Sequence, residues 1–279
     1  MRRVGHVSLL LGIVILVAAV TVAVAAMLLI RRRAPEGGYF ADSDRASGVF
    51  GVLATGFAIF AGFVIFLAFT SYDQSRTGAQ TEALILLQQY ETAQFLPTKA
   101  RGRLTGGLVC YGRYVVHQEW PRMQDGSTPA VNPWGIELFR AFKTVDPRTN
   151  AEQSAYQKWL DQTSDREEAR RDRVHGAEGI VPTPVWIILF LTAATVFVYL
   201  LFYADSGERA VSQAMMVGSA TAVVTVTLLA ITALDNPYGS RLGRLQPTAM
   251  ERTLSTVGEV RKTLNDTTAL PCDETGGAL

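Results

Sequence analysis

The chain has little net charge. Its 26 lysines and arginines are nearly balanced by 25 acidic residues, which leaves a formal net charge of +1 over 279 residues. Proteins that hold nucleic acid through its phosphates need a basic surface, and this sequence has no basic patch interleaved with aromatic residues. We therefore expect no nucleic-acid partner.

Cysteine and histidine are scarce. The two cysteines, Cys110 and Cys272, lie in a helix-patterned segment and in a polar tail. We expect both to be free thiols, with a disulfide between them as the alternative. The three histidines, His6, His117 and His175, have no metal-ligand spacing with each other or with the cysteines. The sequence therefore predicts no metal site and no cofactor.

Catalytic motifs are also missing. The sequence has no glycine-rich phosphate loop with its lysine, no nucleophile elbow and no zinc-protease helix. The glycine pair Gly106-Gly107 lies inside a helical pattern and indicates close helix contact rather than a phosphate cradle. Runs of alternating β-branched residues are missing as well, so the sequence predicts no sheet. We expect an all-α protein that is not an enzyme.

Four long apolar runs dominate what the sequence does contain, and each is close to the roughly 20 residues that cross a bilayer as a helix. The first run ends at three consecutive arginines rather than at a small-residue cleavage site, which favours a membrane span over a signal peptide. The expected fold class is therefore a four-span transmembrane helical protein, with the lipid bilayer as its partner. The predicted spans are residues 7–30, 49–69, 185–203 and 211–234.

The hydrophilic segment between the second and third spans reads as helical throughout. Apolar residues recur there at helical spacing in four pieces. The second piece ends at Pro121, Asn132 caps the third, and the fourth runs from about 150 to 175. The tail carries an amphipathic stretch near 250–264 and then a polar end that we expect to be disordered. The predicted organisation is spans 1 and 2 within 1–70, a helical domain at 71–181, spans 3 and 4 within 182–238, and a tail at 239–279.

The second span continues without proline into the helical domain, so residues 48–96 read as one long helix. Five phenylalanines recur at every third residue from Phe57 to Phe69. A step of three residues rotates 300° on a helix, so these rings spiral around it and cannot share one face. They serve either lipid and helix contacts or, in part, a hydrophobic pore constriction. The candidate pore-lining stripes are Ile59 with Phe63 and Phe66, and Phe60 with Phe63 and Leu67.

Charged residues near the apolar runs are further candidates for functional or structural roles. Asp73 follows the second span and is either a pore-mouth carboxylate in an oligomer or an exposed or bridged residue. Asp235 ends the fourth span, where a helix-end hydrogen bond or salt bridge competes with a role along an ion path. We also expect structural ion pairs inside the helical domain. They join Glu82 and Glu119 to Arg101, Arg103 or the cluster from Arg170 to Arg173.

Flanking arginines favour a cytoplasmic location for residues 71–181 and for both ends of the chain. The cluster from Arg166 to Arg173 outweighs the opposing triplet Arg31–Arg33. A cytoplasmic domain also suits reduced cysteines. We therefore expect a multi-pass protein of the inner (plasma) membrane, with a cytoplasmic helical domain and tail.

The order of these features resembles the bestrophin-like domain family of bacterial membrane proteins. The resemblance covers roughly residues 50–245 and rests on short pieces in a fixed order and spacing. The pieces are Tyr72-Asp73, Glu82-Ala83, Leu96-Pro97, Arg101 and Arg103, Glu119-Trp120-Pro121, Arg170 to Arg173, Pro184 with Trp186, and Leu234-Asp235-Asn236-Pro237-Tyr238.

This resemblance implies a relation to the bestrophins, which are pentameric anion channels with two spans, an insertion and two more spans. Their second span lines the pore, and this chain lacks the proline pair and asparagine cluster of that span. The implied function is a homo-oligomeric ion channel. The alternative is a non-conducting membrane scaffold or sensor whose cytoplasmic helical domain binds a protein partner, which the charged fourth helix and amphipathic tail would suit.

Overall fold

The computed structural model describes residues 2–127, 131–239 and 243–279, with side chains described from residue 9 onward, so the side chain of His6 lies outside the described residues. In these ranges the only strand-like pairing is an isolated bridge between Cys272 and Ala278, and the all-α fold is confirmed. A π-helical turn (Val115–Glu119) and a 3-10 turn (Gly176–Glu178) join the α-helices. The α-helices are α1 (Arg2–Arg31), α2 (Ser43–Ala93), α3 (Thr98–Tyr114), α4 (Trp120–Gln124), α5 (Pro133–Phe142), α6 (Asn150–His175), α7 (Thr183–Phe202), α8 (Ala210–Asp235) and α9 (Thr248–Thr263).

Four helices, α1, α2, α7 and α8, are long and apolar enough to cross a bilayer, which confirms the four-span fold class. The helix that contains the second span begins before the apolar run, because Asp42 caps it in the preceding loop. The Asp42 carboxylate accepts a hydrogen bond from the backbone N–H of Arg45 at 2.9 Å. The same helix continues unbroken to Ala93, as the lack of proline predicts.

The chain divides into two compact units. The first, here called the membrane unit, contains the residues up to Thr70 and Ile180–Asp235. The second, here called the helical domain, contains Ser71–Gly179, Asn236–Gly239 and Arg244–Leu279. Helix α9 is therefore part of the helical domain rather than of a separate tail.

The membrane unit has two small apolar cores. One joins α2, α7 and α8 and includes Ala61, Leu189 and Ile231. The other joins α1 to α8, where Met27 is fully buried and a Cβ on Gly218 would lie 3.6 Å from Val20. Small residues allow such close approach between membrane helices. Most of the remaining apolar surface of the spans faces outward, as expected when the solvent is lipid.

Helix α3 lies at the centre of the helical domain, and every residue from Leu104 to Gly112 is buried. The glycines of this helix make close contacts possible. A Cβ on Gly107 would lie 2.9 Å from Leu138 of α5, and a Cβ on Gly106 would lie 3.2 Å from Pro271. This confirms close helix contact for Gly107, whereas Gly106 lies against the C-terminal segment rather than against a helix.

The second helical piece does not end at Pro121, in contrast to the prediction. Helix α3 passes into the π-helical turn and then into α4, which continues to Gln124 with Pro121 in its first turn. Proline has no backbone N–H to donate, and it lies just after the π-helical turn, where the α-helical hydrogen-bond pattern is already interrupted. The wide turn places Glu119 inside the domain.

The expectation of two free thiols is wrong, because Cys110 and Cys272 form a disulfide. The sequence predicts a disordered end, whereas residues 265–279, here called the strap, lie against α3 and α5. Trp134 donates its indole N–H to the carbonyl of Gly276 at 2.7 Å. Gly276 has a φ of +82°, and a Cβ there would overlap the backbone nitrogen of Tyr114. Polar composition hides these contacts from a sequence argument.

Candidate functional site

The membrane half of α2 has one buried face and one exposed face. Phe57, Ala61 and Val64 are buried against α7 and α8. Ile59, Phe63 and Phe66 are exposed, at 57%, 65% and 65% of their full area. Because each residue turns the helix by about 100°, the two sets lie on opposite sides of α2.

The phenylalanine series spirals around α2 as the spacing predicts. Phe57 is only 7% exposed, Phe60 packs partly buried against the same core, and Phe63, Phe66 and Phe69 are exposed. The first candidate stripe, Ile59 with Phe63 and Phe66, therefore shares one exposed face. Of the second stripe, Leu67 is exposed at the edge of that face, whereas Phe60 is half-buried against the core of the membrane unit.

The exposed side of α2 is mostly apolar and carries no charged residue. We call it the open face; no charged residue occurs between Gly48 and Thr70. A Cβ on Gly48 or Gly56 would meet no atom within 4 Å, so the backbone is accessible there. Such a surface can contact lipid, another copy of the chain or a narrow aqueous path. The open face consists of Gly48, Val52, Gly56, Ile59, Phe63, Phe66 and Thr70.

The two carboxylates at span ends have different surroundings. Asp73 is exposed on α2, just past the membrane half. Asp235 accepts hydrogen bonds from the backbone N–H groups of Ile180 at 2.8 Å and Val181 at 2.6 Å. It also accepts one from the indole of Trp186 at 3.3 Å. Asp235 thus has the geometry of a helix-end hydrogen bond that holds the chain where α7 begins.

A cluster of buried charges lies inside the helical domain. Arg173 of α6 donates to both oxygens of the Glu82 carboxylate on α2 and to Glu119 at 2.5 Å. Arg170 donates to the other oxygen of Glu119 at 3.0 Å. The side chains of Glu82, Glu119 and Arg173 are fully buried. Two carboxylates face these two guanidinium groups in this buried network, and a third buried guanidinium, that of Arg166, pairs with the partly exposed Glu167 at 3.2 Å.

Aromatic and amide groups complete the buried network. The Tyr111 hydroxyl donates to Glu82 at 2.5 Å. The guanidinium of Arg166 lies 4.7 Å from the centre of the Tyr111 ring and donates to Gln89 at 2.8 Å. A cation over an aromatic face is attractive, more so away from water.

Glu119 and Arg173 keep their charges at neutral pH. Burial alone would raise the pKa of Glu119, but the adjacent Arg173 and Arg170 outweigh burial and hold that pKa below its ordinary value. Burial would lower the pKa of Arg173, and Glu82 with Glu119 instead raises it well above its usual range. Burial, and then Glu82, raises the pKa of Tyr111, so its hydroxyl stays a donor. The arrangement is therefore suited to structural clamping rather than to proton transfer.

The structure brings together four of the six residues that the sequence proposes for ion pairs: Glu82, Glu119, Arg170 and Arg173. Arg101 instead donates to the carbonyl of Leu96 at 3.2 Å, and Arg103 is exposed. Both lie on the first turns of α3, at some distance along the helix from the buried network.

Sequence reasoning missed Arg166, Tyr111 and Gln89. A signal for Arg166 was present, because positions 166, 170 and 173 follow steps of four and three residues and so share one face of α6. Tyr111 and Gln89 gave no comparable signal, since each has the spacing of an ordinary buried residue on its helix.

The chain matches a known protein family. The Bestrophin-like domain family matches residues 17–244, and the chain therefore belongs to the bestrophin-like family. Together with the four apolar helices, this makes it a membrane protein. No curated protein sequence matches the chain.

Solved structures share the fold at low sequence identity. A variant of a bacterial bestrophin homologue from Klebsiella pneumoniae is 16% identical, with 87% of this chain and 98% of that chain covered and a TM-score of 0.67. Another variant of that homologue gives 16% identity, 90% and 98% coverage and a TM-score of 0.64. A structure described as a membrane protein variant gives 15% identity, 94% and 99% coverage and a TM-score of 0.66. At such identity the likeness establishes the fold.

Proposed function

We propose that this protein is an ion channel assembled from several copies of the chain, with the open face of α2 lining the pore. The observation that carries the proposal is the orientation of that face. It lies opposite the buried residues of α2, has no partner in the described residues of the single chain, and is apolar without a charge from Gly48 to Thr70.

Several copies are needed because one chain offers too few helices to enclose water. In each of the four spans, no more than 22% of the apolar stretch is buried within the chain. Membrane helices associate through close contacts at small residues, and Gly56 and Gly62 leave room for a second helix. Self-assembly around the open face would cover much of the apolar surface that the spans of a single chain leave exposed.

The proposed pore would conduct through a hydrophobic constriction. Ile59, Phe63 and Phe66 would surround it, with Leu67 at the edge, and such constrictions control ion flow by losing or regaining water. The stripe that includes Phe60 is less suitable, because Phe60 packs against the core of the membrane unit. A ring of exposed Asp73 carboxylates beyond the constriction would favour cations.

Ion flux from proteoliposomes tests the proposal. Truncation of Phe63 to alanine would widen the constriction, so we expect flux to rise severalfold over wild type. Phe190→Ala is the matched control, because Phe190 is also an exposed phenylalanine on a span but lies on α7. Asp73→Asn should reduce the preference for cations over anions.

One result would overturn the channel itself, and another would overturn the assignment of its pore. The first is an absence of flux in both anion and cation gradients from a well-folded preparation, which would favour the non-conducting scaffold. The second is an equal change in ion flux for Phe63→Ala and Phe190→Ala, which would mean that the open face does not line the pore.

We also propose an inner-membrane location with the helical domain in the cytoplasm, because arginines cluster before the third span. The disulfide predicts the opposite side, since such bonds are typical of oxidising compartments. A cysteine introduced at the exposed Glu168 decides between them. We expect an impermeant maleimide to label Glu168→Cys only after cells are opened, with wild type as the background control. Labelling in intact cells would place the domain outside.

A further inference from the structure

A cavity of about 290 Å³ lies in the membrane unit, where α1, α2, α7 and α8 come together beside the loop between α7 and α8. Its walls are largely apolar. Met27, Phe50, Leu200 and Val217 contribute to them, one from each of the four spans. A cavity of this size accommodates a small molecule or the head of a larger one.

Two buried polar groups line the cavity without a hydrogen-bond partner. Gln213, on the first turn of α8, is 5% exposed, and within the described residues neither its side-chain oxygen nor its nitrogen is bonded. The hydroxyl of Tyr203 is buried and unpartnered in the same sense. Buried polar groups in proteins are nearly always satisfied, so an unsatisfied amide beside a cavity indicates a bound molecule.

The charges around the cavity restrict what that molecule is. Among the described residues, no lysine or arginine lines it, whereas Glu208 does. Arg31 contacts the same loop, but its guanidinium donates to backbone carbonyls, those of Asp205 and Ser206, each at 3.1 Å, and that of Glu208. An anionic head would therefore find no cation and would face a carboxylate.

The Gln213 amide both donates and accepts, so it is satisfied best by a hydroxyl or an amide. The apolar walls suit a hydrocarbon chain, and Met216, which also lines the cavity, is exposed on the outer surface of α8. We propose that the cavity binds an uncharged lipid amphiphile whose hydroxyl groups hydrogen bond to Gln213 and Tyr203.

Binding of 1-monooleoylglycerol to the purified full-length protein, counted by native mass spectrometry, tests the proposal. We expect Gln213→Leu to raise the dissociation constant about tenfold or more, because two hydrogen bonds are lost. Tyr203→Phe should give a smaller increase. Gln162→Leu is the matched control, since Gln162 is a buried glutamine with an unpartnered oxygen in the helical domain and should leave binding unchanged.

A thermal unfolding scan separates lost binding from lost structure. Without lipid, Gln213→Leu should be at least as stable as wild type, because an unsatisfied amide is replaced by an apolar side chain of similar size.

The proposal is overturned if wild type binds no monooleoylglycerol, which would leave water as the occupant, or if Gln213→Leu binds it equally well. Equal binding of oleate at pH 8 would overturn the uncharged class. Because the experiment measures lipid binding, its result does not depend on whether the protein conducts ions.

Discussion

The membrane unit and the helical domain place their apolar and charged side chains in opposite ways. The membrane unit leaves large apolar side chains exposed, such as Phe63, Phe190 and Val223. The helical domain buries full charges, with Glu82, Glu119 and Arg173 at its centre. The difference follows from the solvent. Lipid accepts exposed hydrocarbon, whereas a domain in water must bury its apolar groups and can keep buried charges only if they are paired.

The comparison also shows where the chain is vulnerable. A buried ion pair adds little net stability over an apolar substitute, but removal of one partner leaves a charge unpaired away from water. When a side chain on the lipid face is removed, no buried charge is left without its partner. We therefore expect the helical domain to respond to single substitutions far more than the membrane unit does.

The largest effect should come from Arg173→Leu, which removes the cation that contacts both carboxylate oxygens of Glu82 and one oxygen of Glu119. We expect a loss of about 3–5 kcal/mol in the free energy of unfolding. Denaturant titration followed by tryptophan fluorescence measures it. Arg171→Leu on the same helix is the control, because Arg171 is exposed. Equal losses for the two variants would remove the special role of the buried network.

The next effect should come from the disulfide, which joins residues 162 positions apart. A double Cys110→Ala, Cys272→Ala variant should lose about 2–4 kcal/mol, since an unfolded chain without the cross-link is freer. A reductant should destabilise wild type by a similar amount and leave the double variant unaffected. If reductant shifts both proteins equally, the cross-link does not stabilise the domain.

A smaller effect should appear with pH. The pKa of Glu119 in the folded state lies below its ordinary value of 4.5, because Arg173 and Arg170 outweigh burial. Its contribution to stability is therefore present above pH 4.5 and is lost as pH falls through the folded-state pKa. Glu119→Gln should be less stable at pH 7 and should lose less stability than wild type on acidification. An unchanged acid response would contradict this assignment.

The smallest effect should come from Phe63→Ala, whose side chain is 65% exposed on the open face. We expect a change in the midpoint of thermal unfolding of about 1 °C or less in a monomeric detergent preparation, because an exposed substitution changes stability little. Phe142→Ala is the contrast, because Phe142 is buried and stacks on Tyr156 at 4.5 Å between ring centres. A core truncation of that kind typically costs about 3–5 kcal/mol. Similar midpoints for the two variants would erase the distinction between the regions.

Sequence reasoning predicts most strongly where one physical rule dominates. Apolar length locates the four spans, and helical periodicity locates α6 at the bounds that the structure shows. The need to pair a charge predicts that Glu82 and Glu119 bind arginines, and it leaves two groups of arginines as candidate partners. Periodicity also predicts that the phenylalanines spiral around α2.

Other features depend on contacts between distant residues, which a single sequence does not specify. The Cys110–Cys272 bond joins a buried helix to a polar segment, and nothing in either segment indicates the other. Gln213 reads as an ordinary polar residue at the start of a helix until its burial is known. Pro121 reads as a helix end, because a π-helical turn has no sequence signature of its own.

The place of α9 in the helical domain has a consequence during synthesis. Met250 and Val257 are buried in the same core as α3, yet α7 and α8 are translated between them and the rest of that core. A ribosome that has released α6 has therefore made a domain that still exposes apolar surface. Both later spans must leave the exit tunnel and insert into the bilayer before α9 and the strap can cover it. Until then this apolar surface stays uncovered, so we expect chains that end ahead of α9 to be less stable than the full-length chain.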